Sequence, residues 1–386
     1  MHAKSPSIRV PRRLVRHVAV AACVAAFVGV SAAPAGASIS TGPTPGMWGV
    51  DGRVWALTRV GNILYVGGSF THAVSPDGQT SVSRENLAAI DVSTGQVTSW
   101  NPGANGVVYA LTSDGGDVFV GGDFTTIGGV NRARTAEVDA SGTVTTFVAD
   151  ATRKVRALAL SGSTLYMGGQ FDRVTDSSGT SRRRIRIAGI DLTNDTLTGL
   201  KATPNKSVLT MAVVPSGAQA GNLVVGGIFT SMNGDSDQQR ITELTPDGQA
   251  AGWVSHPIDL IWSAEIVNGI VYAGRGGSSG GSLTAYDLSG NLVWNVHADG
   301  DVQALGFTNG QVIAGGHFGN IDNVHIPRLA AFSIGGTPDS SWVPKPNSVK
   351  GVWAIDSTAM ALDVGGDFTA VNGVPVNHVA ELAVSP

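Results

Sequence analysis

Leu64-Tyr65-Val66-Gly67-Gly68-Ser69-Phe70 is an apolar, aromatic run that ends in two glycines and a phenylalanine. A run of this kind between turn-forming residues reads as a β-strand. Each glycine costs about 0.5–1 kcal/mol of chain entropy, so a pair inside a strand marks a place where a neighbour must come very close. The same event recurs at Gly121-Gly122, Gly168-Gly169, Gly226-Gly227, Gly276-Gly277, Gly315-Gly316 and Gly365-Gly366, with the fifth the least regular. A period of about fifty residues belongs to solenoid and propeller arrays rather than to a single wound domain.

Outward from Gly67, Val54-Trp55-Ala56-Leu57 precedes the run, and Leu87-Ala88-Ala89-Ile90-Asp91 and Val97 to Trp100 follow it. These four segments are expected to form one antiparallel sheet. The first recurs at Val108, Val155, Val208, Ile261, Val302 and Val352, and the third around Ala136, Ala188, Thr242, Ala285, Ala330 and Ala380. The fourth is signed by Trp100, Phe147, Leu200, Trp253, Trp294 and Trp342. Composition agrees: 52 glycines, 42% hydrophobic and 14% charged residues suit short strands and tight turns, and no leucine, lysine or glutamate run at helical period interrupts them.

The last unit reaches Pro386 just after its third strand, whereas Met47-Trp48-Gly49-Val50 stands before Val54 at a spacing close to that between Trp100 and Val108. The expected fold is therefore all-β: a seven-bladed β-propeller of four-stranded antiparallel blades over residues 38–386, closed by an N-terminal strand that completes the last blade. Closure removes the exposed edge that an open array would present.

Residues 1–37 read as a secretory signal. Lys4, Arg9, Arg12, Arg13 and Arg16 form a basic start, Val18 to Val30 an apolar stretch too short to span a bilayer, and Ala35-Gly36-Ala37 a small-residue cleavage site. Removing those five cations from 25 leaves 20 Lys and Arg against 29 Asp and Glu, a net charge of −9. A nucleic-acid partner is not expected on such a chain, because phosphate contacts need a basic face. Cys23 lies in the signal and is the only cysteine, so the exported chain has no disulfide. The product is expected outside the cell, monomeric, without a transmembrane segment and in loose association with the cell wall.

A residue repeated in every unit holds the array together, since an active site needs an asymmetric cluster. This places the Gly-Gly pairs, the following Phe70, Phe124, Phe171, Phe229, Phe318 and Phe368, and the recurring Arg134, Arg186, Arg240, Arg328 and His378 in the scaffold. Trp55, Tyr109, Trp262 and Trp353, second in the first strand of their units, are read as packing against a neighbouring blade rather than as sugar platforms.

Departures from the repeat are the functional candidates. Arg173, Arg182, Arg183, Arg184 and Arg186 gather in one connection of an otherwise acidic chain, which reads either as a contact for anionic wall polymer or lipid headgroups or as a solvated loop. Asn233-Gly234-Asp235-Ser236-Asp237 alternates oxygen ligands like the start of a calcium loop but lacks the distal glutamate. No other cofactor and no catalytic residue is expected: the histidines show no metal-type pairing, no nucleophile elbow is present, and Asp77-Gly78 and Asp247-Gly248 read as turns.

The recurring pattern V-x-A-L, L-Y-V-G-G-x-F-T, an arginine-bearing loop, L-A-x-x-D and W-N-P resembles the delta-sixty-type β-propeller repeats of bacterial exported proteins and, more loosely, kelch-like propellers. Gly121 to Thr125 and Gly365 to Thr369 match best. The resemblance implies a secreted binding scaffold for a cell-envelope glycan or another exported protein, and transfers no catalytic residue. Ala89 through Trp100 and Ala285 through Trp294 also look like the tryptophan-docking repeats of pyrroloquinoline-quinone dehydrogenases, without their vicinal cysteines. A quinoprotein-like oxidoreductase, or another propeller enzyme acting on extracellular carbohydrate, is the alternative this implies.

Overall fold

The computed structural model describes residues 38–253, 259–278 and 280–385; the signal expected over residues 1–37 lies outside them. Among the described residues every regular element is a strand in an antiparallel sheet. Unit one runs Arg53–Val60, Ile63–Ser69, Leu87–Asp91 and Gln96–Val97, hydrogen-bonded in that order. The first strands of later units begin at Val108, Val155, Val208, Leu260, Val302 and Val352. In several units the fourth strand shrinks to one bridge, such as Val138 with Val144 or Leu244 with Ala250.

The glycine pairs explain how the sheets meet. A Cβ on Gly67 would lie 2.6 Å from Val108 Cγ1 of the next unit, one on Gly121 2.8 Å from Val155, and one on Gly168 2.6 Å from Val208. Gly365, in the last unit, faces Val54 of the first in the same way. Only a residue without a side chain lets the leading β-branched residue of the neighbouring strand seat there. Unit five departs from the expected pairing. Its second strand pairs Arg275 with Ile261 and Gly274 with Ser263, and Gly274 is the glycine that faces Val302, so Gly274-Arg275 occupies the place assigned to Gly276-Gly277. This strand, Ile270–Gly276, extends past the point where others turn into the phenylalanine, so the pair Gly276-Gly277 lies two residues beyond the contact with the next unit.

Apolar clusters form between successive sheets rather than at one centre. Tyr65, Leu87 and Trp100 of unit one pack with Val108, Val120 and Phe124 of unit two. Indole N–H groups tie the outer edges: Trp100 Nε1 donates to Asp139 O at 3.0 Å and Trp294 Nε1 to Ile334 O at 2.9 Å. The repeated phenylalanines are buried. Arg134, Arg186, Arg240, Arg328 and His378 adopt left-handed backbone, with φ between 61° and 70°; their amides donate to the phenylalanine carbonyls and their carbonyls accept from the second glycine. This double brace starts each third strand and accounts for their recurrence.

The N-terminal segment completes the last sheet with different residues from those expected. Ser38 and Ile39 pair antiparallel with Ser385 and Val384, whereas Gly49–Val50 pairs with Ala73 and Val74 of unit one. Trp342 Nε1 donates to Ser40 O at 3.2 Å, repeating the edge tie of the other units. Trp48 is only 9% exposed, but its amide donates to Gly95 O of unit one, not to the last sheet. The distance across the sheet decides the outcome. Passing from a fourth strand to the next first strand crosses three strand spacings of about 4.8 Å, and Val50 corresponds to the crossing residues Ala104 and Ala151, each four before a leading valine.

Candidate ligand-binding channel

Among the described residues all seven first strands carry a β-bulge directly after their leading residue, as between Val54 and Ala56, Val108 and Ala110, Val155 and Ala157, or Val352 and Ala354. The residue that drops out of the ladder is Trp55, Tyr109, Arg156, Leu209, Trp262, Gln303 or Trp353. A bulge turns its extra side chain away from the regular alternation. Except for Trp262, all of these line one cavity of about 200 Å³, together with Thr210, Met211 and Ser263.

The aromatic members touch each other across neighbouring units, as expected of packing between blades, but they are only half-buried and three of the four line the cavity rather than a sealed core. Trp55 lies 4.6 Å from Trp353 and 5.7 Å from Tyr109, and Trp262 meets Trp353 edge-on at 5.7 Å. Cations sit over this collar. Arg53 is 4.7 Å from the Trp55 ring centre and ion-paired with Asp367 at 2.6 Å; Arg156 is 4.1 Å from the Tyr109 ring centre. Lys154 pairs with Asp123 at 3.1 Å, and Asp301 accepts from Trp262 Nε1 at 3.0 Å beside His317. A larger depression of about 350 Å³ around Asn347, Val349 and Lys350 lies on the rim. Its amide is already committed, since Asn347 Oδ1 accepts from Thr369 and Ala370. The channel is therefore the better candidate.

A column that mixes Trp, Tyr, Arg, Leu and Gln at one register is not a core column, which would be uniformly apolar. That mixture was the available signal for Arg156 and Gln303, which the sequence reading passed over.

The arginine connection divides into two groups. Arg184 is buried and donates to Arg183 O and Thr198 O, the role that Arg84 plays toward Thr98 O two residues before the left-handed Asn86. Arg186 is left-handed and donates to Pro204 O at 2.9 Å. Arg173 and Arg183 are exposed and directly opposite one another in the hairpin of Arg173–Asp176 and Ser181–Arg183, with Arg182 exposed beside them. Opposed like charges destabilise a strand pair unless an anion shares them.

Most other charged groups are braces. Asp51 accepts from the amides of Thr71 and His72, and these bonds outweigh burial to bring its pKa down to about 2. Asp77 accepts from Ser75 Oγ and Asp247 from Thr245 Oγ1 in their turns. In the segment read as a calcium loop, Asn233 Oδ1 accepts from Thr203 N at 2.8 Å and Asp235 Oδ1 from Asp237 N. Among the described residues no group of three His, Cys, Asp or Glu is arranged to hold a metal. His256 lies outside the described residues.

At the far ends of the first strands the charge is acidic. Burial and the nearby Asp356 push Glu265 up to about 7, and burial, opposed by Arg59, also leaves Asp363 at about 7. Such carboxyls hold protons in the folded chain that the unfolded chain releases, so stability is fully present below the unfolded value near 4–5 and is lost as pH rises toward 7. His378, lowered by burial, works in the opposite sense below its ordinary 6.5. The two carboxyls are therefore expected to lower the melting temperature between about pH 5 and 7, with little further change above that. Glu265→Gln should gain up to about 3 kcal/mol at pH 8 and little at pH 5; equal effects in calorimetry at both pH values would refute the assignment.

The profile of a domain of unknown function (DUF5122) beta-propeller matches residues 116–144, across the second and third strands of unit two. No curated protein matches the chain. Among solved structures, the WD40 beta propeller domain of Doa1 aligns with a TM-score of 0.58 at 12% identity, over 90% of this chain and 97% of that one. The computationally designed Ika8 protein aligns with a TM-score of 0.54 at 14% identity, over 90% and 99%. At these identities the likeness is one of fold: the chain is a β-propeller repeat protein.

Proposed function

We propose that the chain is an exported seven-bladed β-propeller, its last blade completed by Ser38–Ile39, which serves as a non-catalytic scaffold binding a cell-envelope glycan or another exported protein. The observation that carries this reading is the bulge-presented collar of Trp55, Tyr109, Trp262 and Trp353, half-buried at a channel rather than sealed between sheets. Aromatic rings with a few polar and charged neighbours in a concavity are the ordinary makings of a binding site. The contact of Gly365 with Val54 and the pairing of Ser38 with Ser385 support closure. Arg173, Arg182 and Arg183 supply a second, anion-binding contact on the same proposal. The carboxylates used in turns and loop braces support a structural rather than a chemical role for the acids.

Purified protein is expected to be retained by cell-wall fractions at low salt. Replacing Arg173, Arg182 and Arg183 together with alanine should weaken retention roughly three- to tenfold with an unchanged melt. If no wall fraction, glycan array or exported protein retains it, while hydrolase or dehydrogenase panels give turnover, an enzyme replaces the scaffold. Dye reduction after addition of calcium and pyrroloquinoline quinone tests the dehydrogenase alternative.

A further inference from the structure

Arg156 differs from the other cations of the channel. Arg53 pairs with Asp367 and Lys154 with Asp123, but Arg156 has no ion-pair partner among the described residues and is held by the Tyr109 ring at 4.1 Å. Its Nε is covered, leaving the end of the guanidinium for the cavity that it lines. Three polar atoms of residues in the same lining, Trp353 Nε1, Ser263 Oγ and Gln303 Oε1, are covered as well and have no hydrogen-bond partner among the described residues. Gln303 is 7% exposed, and its amide nitrogen is already 3.4 Å from His317 Nδ1. A buried polar group without a partner is costly, so such a set around one cavity is stabilised by whatever completes it.

We propose that this channel is a site for a small hydroxylated carboxylate no larger than one sugar ring, such as a uronic acid, free or at the end of an acidic polymer. The carboxylate pairs with Arg156, whose planar fork suits two oxygens. Hydroxyls meet Gln303 Oε1, a pure acceptor, and Ser263 Oγ, while the indole N–H of Trp353 is a donor. The ring packs against the open side of the collar, since the Trp55 and Trp353 ring centres are already 4.6 Å apart. Size limits the ligand: about 200 Å³ falls below the ~300–1,000 Å³ of sites for drug-sized molecules. A neutral sugar leaves the guanidinium unpaired.

This inference deepens the scaffold reading and rests on its channel. Its test is calorimetric titration of the whole exported chain at low salt with glucuronate, galacturonate, glucose and a uronate-ended oligosaccharide. The uronates are expected to bind at least tenfold more tightly than glucose. Binding of the oligosaccharide as well as the monosaccharide assigns the polymer end as the source; binding of the monosaccharide alone assigns the free acid. Arg156→Met should lose roughly ten- to a hundredfold in affinity with an unchanged melt, Arg156→Lys less, and Trp353→Phe a smaller factor through the lost N–H. Equal binding of glucose, undiminished binding by Arg156→Met, or no binding of either uronate overturns the assignment. Wall retention that persists in Arg156→Met, with no uronate binding by the parent protein, sinks this inference and leaves the scaffold standing; uronate binding without any retention does the reverse.

Discussion

Deleting residues 38–50 is expected to lower the melting temperature by more than roughly 10 °C or to leave the protein insoluble. The segment buries Ile39, Trp48 and Val50, and hydrogen-bonds Ser40 N to Ala383 O, Thr44 N to Glu381 O and Val50 N to Asn377 O. Trp48 alone hides about 150–250 Å², which at ~25 cal/mol/Å² gives about 4–6 kcal/mol as an upper bound. A domain only ~5–15 kcal/mol stable loses much of its margin with it. A shorter deletion of residues 38–42 separates the two functions of the segment. It removes the strand on Val379–Ser385 but keeps Trp48, so it should melt a few degrees low and associate through the uncovered edge. A melt unchanged by the longer deletion, followed by circular dichroism, rules out closure by this segment.

Arg59→Met is expected to have the second largest effect. Arg59 Nη1 lies 3.0 Å from Asp363 Oδ2 and 2.7 Å from Glu381 Oε2, joining the first strand of unit one to the second and third strands of the last unit. Its backbone amide also donates to Asp356 Oδ2 at 2.5 Å. The guanidinium thus serves two carboxylates and the backbone amide of the same residue a third, and the Asp363 side chain is fully buried. Removing one partner of a buried pair costs about 3–5 kcal/mol, because the other charge stays behind without compensation. The low end applies here, since Asp363 can take up a proton instead. The deficit should be about 3 kcal/mol at pH 8 and shrink at pH 6, where that proton is bound. Arg59→Met combined with Asp363→Leu should recover most of the loss, as buried pairs replaced by apolar residues often do. Urea denaturation that gives the same deficit at both pH values, or no recovery in the double variant, contradicts this account of the seam.

Much of the scaffold was legible in the residues because its demands are local. Period-two runs bounded by turn residues located Leu87–Asp91 without error and the starts of the first strands to within a residue, and the need for close approach singled out Gly67 or Gly121 from sequence alone. Carboxylates such as Asp77 and Asp247 were readable as turn formers for the same reason: their partners lie two residues away.

The channel was not legible, because it depends on the one place where the local rule breaks. Regular alternation assigns Trp55 and Trp353 to a face between sheets, but the bulge after Val54 and Val352 adds a residue to the strand and turns those side chains to the channel. Arg184 and Arg186 looked like part of a basic patch until their carbonyl partners, 14 and 18 positions away in sequence, were in place. The sequence by itself determined an all-β array of glycine-paired units. Tertiary structure decided that Ser38–Ile39 rather than Gly49–Val50 borders the last sheet, that Gly274 replaces Gly276 in unit five, and that Arg156 stands unpaired beside Tyr109. Each of these turns on which distant backbone or ring occupies a given space, which a period along one chain does not encode.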